Sequence, residues 1–150
     1  KVITTHTYEE RVNTILYAKN AGMEVCSGLI LGLGETPSQR LELAFKLRDL
    51  DVDAVPINIL VPVAGTPLAA SPALPPLEIL KTFAIFRFIL PDRNIRYAAG
   101  RERSLRTLQP FGLVSGLNGM LIGSCLTVSG ADRSTDAEML QDRGFPDNKN

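Results

Sequence analysis

Cysteine and histidine are scarce in this 150-residue chain, which carries two cysteines, Cys26 and Cys125, and one histidine, His6. Two cysteines so far apart form neither a disulfide framework nor a C-x-x-C zinc or redox pair, and they suit a reducing compartment. His6 stands alone before a helix cap and reads as structural or solvated. Excess charge is missing as well: 16 Lys+Arg balance 16 Asp+Glu, and the basic residues form no run. That removes the electrostatic footprint expected for nucleic acid or an anionic membrane surface, so neither is an expected partner. No apolar run approaches the roughly 20 residues that span a bilayer, and the opening lacks a charged-then-apolar signal pattern. A cytoplasmic protein is expected. What remains, 45% apolar side chains, suffices for one globular core and not for two. The opening "KVITTHTYEE" reads like the interior of a longer polypeptide.

Helical and strand-like segments alternate along the chain. Thr7 and Glu10 form a capping box, and Tyr8, Val12, Ile15 and Leu16 follow at helical spacing, predicting a helix over 8–21 closed by Gly22. An apolar run over 24–31 has strand length. Thr36, Pro37 and Gln39 then start a second helix, with Leu41, Phe45, Leu47 and Leu50 as its apolar face, ending near Asp51. "AVPINILV" (54–61) is apolar on both faces apart from Asn58, as in a parallel sheet covered by helices. A proline-rich loop leads to an apolar helix over 77–90, stopped by Pro91, and "NIRYAAG" reads as a third strand. A helix over 105–114 disturbed by Pro110, a fourth strand at "GMLIG" and a capped helix over 135–143 complete the series. A polar tail follows from Pro146. The class is α/β with parallel strands. An open doubly wound sheet and half of a (β/α)8 barrel both fit four such units.

The stretch "GMEVCSGLILGLGET" (22–36) holds the densest set of candidates. Gly32 and Gly34 lack the third glycine of a dinucleotide loop, Pro37 standing in its place, and no Walker lysine follows; a strand-to-helix turn explains them. Cys26, Gly28 and Ile30 alternate onto one face of a strand. A glycine inside a strand often marks a close approach by a ligand or another backbone, and a cysteine beside it either packs as a small apolar residue or faces a ligand. Cys125 has the same packing alternative. Asn58 needs a hydrogen-bond partner, either backbone or a bound molecule. Arg101 is either a surface residue or sits at the end of the third strand, where α/β folds place their chemistry. Arg11 by default lies on the solvated face of its helix.

Five segments, "THTYEERVNT", "AGMEVCSGLILGLGET", "VPINILVPVAGTPLA", "IRYAAGRE" and "LIGSCLTVSG", in this order and at these intervals, resemble the C-terminal half of biotin synthases. The resemblance covers nearly the whole chain, with 1–145 as the C-terminal half of a radical S-adenosylmethionine barrel and 146–150 as the tail. It implies a (β/α)8 barrel, S-adenosylmethionine, a four-iron four-sulfur cluster that cleaves it, a two-iron two-sulfur cluster that supplies sulfur, and dethiobiotin as substrate. By the same resemblance, Cys26 and Arg101 are ligands of the two-iron cluster, a thiolate being the standard soft ligand. Arg11 pairs with the carboxylate of S-adenosylmethionine, Ile30 and Val61 pack on adenine, Gly28 allows close approach, and Asn58 bonds substrate or nucleoside. The family's C-x-x-x-C-x-x-C loop is absent from these residues, so they alone are expected to be inactive. A homodimer of the full-length parent is implied too. Another radical enzyme of the same group, or a non-catalytic half-barrel acting as a binding or scaffold domain, are the alternatives.

Overall fold

The computed structural model describes residues 4–123, 130–142 and 144. Cys125 and the tail from Pro146 lie outside them. Helix α1 (Tyr8–Asn20) begins at the Thr7 and Glu10 capping box, both hydrogen bonds being present, and ends before Gly22 at φ +77°. Strand β1 (Leu29–Leu31) is shorter than the apolar run; Cys26 makes only an isolated parallel bridge to Ala54. Helix α2 (Pro37–Asp49) starts with the Thr36 and Gln39 box. Its buried face is Arg40, Ala44 and Leu47, whereas Leu41 and Phe45 are exposed. Strand β2 (Ala54–Ile59), helix α3 (Pro76–Ile89) and strand β3 (Asn94–Tyr97) follow.

The expected helix over 105–114 is a broken one. Helix α4 (Arg101–Leu105) starts earlier, a 3-10 turn (Arg106–Leu108) interrupts, and helix α5 (Gln109–Val114) resumes with Pro110 in its first turn, where a missing N–H costs nothing. Strand β4 (Gly119–Met120) is two residues long. Helix α6 (Arg133–Gln141) begins at Asp132, so Thr135 is inside it rather than at its start.

The strands are all parallel and lie in the order β1-β2-β3-β4. Sequential order with right-handed crossovers places the helices on one side, the arrangement of a barrel segment; a doubly wound sheet reverses its order and takes helices on both sides. On the covered side, Leu31, Val55, Ile57, Ile59, Ile95 and Tyr97 pack with Ala44, Leu47, Ile79, Phe83 and Phe86 into the core. Phe83 meets Tyr97 edge-on at 5.4 Å. The Tyr97 hydroxyl donates to the Gln109 carbonyl, and burial pushes its phenol far above the usual range. Gly112 is packed against that ring, since a Cβ there would lie 1.5 Å from the hydroxyl oxygen.

The N-terminal ends of the strands are tied by charge. Asp53 accepts from the Val25 N–H at 2.7 Å and from Lys19 Nζ at 3.2 Å. Lys19 also reaches Asp51, which Arg93 contacts from the start of β3. The Val25 N–H and then Lys19 hold the Asp53 carboxyl below its usual pKa; Lys19 and Arg93 do the same for Asp51.

Two outcomes follow from this packing. Gly112→Ala should destabilise the chain by about 1–3 kcal/mol, as overpacking does, read as a lower denaturant midpoint; an unchanged midpoint would mean that the Tyr97 ring has room to move. The stability contributed by the two carboxylates is complete above their unfolded pKa of about 3.9 and is lost as pH falls toward their lower folded values. Unfolding experiments between pH 6 and pH 3 should therefore show a weaker acid dependence for Asp53→Asn than for the parent chain.

Candidate functional site

Among the described residues, the core helices α2 and α3 pack on one side, and the other side of the sheet is left without them. Registers place its side chains in rows: Cys26, Ala54 and Asn94; then Gly28, Pro56, Arg96 and Gly119; then Ile30 and Asn58. Cys26 is exposed, Ile30 is 45% exposed, Asn58 is half-buried and Arg96 is exposed. Cysteine, arginine and asparagine thus share one uncovered apolar face, the composition of a ligand-facing surface with few placed polar groups.

Each residue has a local reason for its place. Gly28 is required by the neighbouring strand: an added Cβ would lie 1.9 Å from the Pro56 carbonyl oxygen. The close approach there is made by backbone. Asn58 donates through Nδ2 to the Leu29 carbonyl at 3.3 Å and accepts at Oδ1 from the Ala99 N–H at 3.1 Å. Its side chain cross-links β1 and β3 through β2, so its hydrogen-bond partners are backbone. Arg96 donates through Nε to Asn94 Oδ1 at 3.1 Å, and its stem passes over Gly119, where a Cβ would be 3.0 Å from Cγ.

The resemblance pairs Cys26 with Arg101, and the structure separates them. Cys26 is level with the first residue of β2, whereas Arg101 begins α4 beyond the C-terminal end of β3. The Arg101 side chain is 1% exposed, lies over the Tyr97 ring at 6.0 Å, and is held by Asp136 at 2.7 Å and Gln109 at 2.5 Å. The guanidinium on the thiol's own face is that of Arg96, two strands across and two residues along, about 10 Å and about 7 Å respectively at ordinary sheet spacings. Sequence reading passed over Arg96; strict alternation from Cys26 across an assumed register was the signal that points to it.

The remaining residues sit near the C-terminal ends of the strands or on the helix side. Arg11 is exposed on the first turns of α1, over a cleft of about 180 Å³ lined by Tyr8, Ser27, Gly28 and Lys46. Val61, half-buried just past β2, lines a groove of about 680 Å³ with Leu33, Leu60 and Pro67. Gly32 and Gly34, at φ +92° and +97°, form the turn after β1. Glu35 closes that turn, accepting from the Gly32 and Leu33 N–H groups and from Arg40 Nε at 2.9 Å. Burial raises its pKa, but the Gly32 hydrogen bond and Arg40 outweigh that and leave it lowered. The glycines therefore serve the turn. Among the described residues, no group of three or more His, Cys, Asp or Glu is arranged to hold a metal ion, and no helix is long and apolar enough to cross a membrane.

Sequential parallel βα units with helices on one side are a half-barrel, and a solved structure shares that fold. Methylornithine synthase superposes with a TM-score of 0.76 at 21% identity, over 97% of this chain and 47% of that one. Sequence is more specific than shape here. Residues 56–146 match the Biotin and Thiamin Synthesis associated domain, and the chain belongs to that family. The biotin synthase of Carboxydothermus hydrogenoformans is 61% identical over 144 residues, 96% of this chain and 44% of that protein. That of Clostridium acetobutylicum is 63% identical over 141 residues, 94% of this chain and 43% of that protein. The chain spans less than half the length of these curated relatives.

Asn58→Ala should leave the Ala99 N–H without its side-chain acceptor and remove the second donor to the Leu29 carbonyl, which stays in the β1–β2 ladder, and cost about 1–3 kcal/mol. Equilibrium unfolding measures it; a loss well below that range would mean the amide is not the link between the three strands.

Proposed function

We propose that the chain forms part of a biotin synthase, in which sulfur is inserted into dethiobiotin with the help of a 5′-deoxyadenosyl radical. The observation that carries this is identity of 61–63% to two biotin synthases along nearly the whole chain, joined to an accessible thiol on the uncovered sheet face. The fold likeness to methylornithine synthase at 21% identity supports the barrel and does not decide the substrate.

Cys26 fits one ligand position of a two-iron two-sulfur cluster: it is an exposed free thiol, bridged to the first residue of β2 and on the same side of the sheet as Arg96. One thiolate does not complete such a site, so the further thiolate ligands come from outside the described residues. The guanidinium on that face is Arg96 rather than Arg101, whose charge Asp136 already neutralises. When bound, the two-iron cluster supplies sulfur, and S-adenosylmethionine, cleaved at a four-iron cluster, supplies the radical. The chain's own work is positional. Asn58 fixes β1 against β3, which sets the distance from Cys26 to Arg96, and Glu35 with Arg40 fixes the turn at the C-terminal end of β1. Ile30 and Val61 offer apolar surface near that end for adenine, and Arg11 a bidentate donor for a carboxylate. A face closed by further strands would exclude water from a radical.

Anaerobic reconstitution of the full-length parent with iron and sulfide tests the assignment. Cys26→Ala should remove the two-iron absorption and spare the four-iron signal, and Arg96→Met should shift the two-iron spectrum. Survival of an unchanged two-iron spectrum in both variants would overturn it.

A further inference from the structure

Helix α6 is attached to the fold in an unusual way. Among the described residues of α6, the buried one is a carboxylate, Asp136, at 1% exposure; of its apolar residues, Leu140 packs partly buried against the core. An amphipathic helix docks through an apolar stripe, and α6 instead docks through a charge. Asp136 Oδ2 lies 2.7 Å from Arg101, itself 1% exposed, and the same Arg101 nitrogen lies 3.4 Å from the Leu121 carbonyl just beyond β4. Glu102 approaches that nitrogen at 3.2 Å, and Gln109 holds the other at 2.5 Å. Arg101 is in turn fixed at its backbone, because Gly100 at φ +91° presses on β2, where a Cβ would be 2.0 Å from the Ile59 carbonyl oxygen.

We propose that Arg101 and Asp136 form an electrostatic latch that docks α6 over the C-terminal ends of β3 and β4, and that α6 opens as a unit when the latch is released while the sheet stays folded. The physical reason is the asymmetry of buried ion pairs. The docked pair keeps its charges matched, although Arg101 Nε has no hydrogen-bond partner among the described residues. A buried charge without its counter-ion, by contrast, is strongly unfavourable, so the helix must leave to solvate it. Among the described residues of α6, Ala137, Met139 and Leu140 are only half-buried, so the ion pair is the one fully buried tie of this helix to the fold. The C-terminal edge is where parallel α/β folds bind ligands, so this strap governs access to that edge. The inference does not depend on which substrate is used.

The two partners are not equivalent. Removing Arg101 leaves the buried Asp136 carboxylate without its cation, whereas removing Asp136 leaves Arg101 with Glu102. Amide hydrogen exchange followed by mass spectrometry therefore tests the latch. Arg101→Leu should speed exchange of the 133–141 amides by about a hundredfold with β2 amides unchanged, and Asp136→Asn should do so less. Arg101→Leu with Asp136→Leu should restore protection, since apolar pairs of similar volume replace buried ion pairs well. In the parent chain, exchange in graded denaturant should show α6 opening before β2. The latch is overturned if α6 exchanges only together with β2 in the parent chain, if Arg101→Leu leaves α6 protected, or if the double variant is no better protected than Arg101→Leu.

Discussion

A parallel sheet satisfies its backbone internally but leaves two apolar faces, and every feature of this chain depends on only one of them being covered. Sequential right-handed crossovers put α2 and α3 on the side of Val55, Ile57 and Ile59. The opposite side, with Ile30, Pro56 and Ala54 around Cys26 and Arg96, is left to be covered by something else. In a closed barrel this is the interior, filled by side chains from strands on both sides. In the proposed biotin synthase, closing that face would put the Cys26 thiol and the Arg96 guanidinium in a shaped apolar environment.

The two ends of the strands divide the labour. At the N-terminal ends, Lys19, Arg93, Asp51 and Asp53 form a charge network whose depressed carboxyl pKa values stabilise the fold. At the C-terminal ends sit the Glu35 turn, the groove beside Val61 and the buried Arg101. This matches the general rule that one end of a barrel serves stability and the other serves ligands.

Much of this was legible in the sequence because it is local. Both capping boxes, the Gly22 stop and the proline-rich loop appear where Thr7, Thr36, Gly22 and residues 62–76 place them. What was not legible is what depends on partners distant in sequence. Periodicity gives Leu41 and Phe45 to the buried face of α2, yet Arg40 takes that place because Glu35 and Thr82 receive its charge and N–H groups. The helix expected over 105–114 breaks because Arg106, at φ +53°, turns the chain between α4 and α5. Arg101 looked free for a ligand because Asp136, 35 residues away, cannot be inferred from spacing. The backbone bonds of Asn58 to Leu29 and Ala99 likewise depend on the registers of both flanking strands, which spacing does not give.

The central claim is that the face bearing Cys26 is an interior surface of a larger fold. Thiol alkylation kinetics test it most directly, comparing Cys26 in this 150-residue chain with the same residue in the full-length parent before iron is added. The account predicts rapid modification in the chain and modification slower by about a hundredfold or more in the parent, where reaction waits on opening. Equal rates in the two would show that the face stays open to solvent, and the account would be wrong.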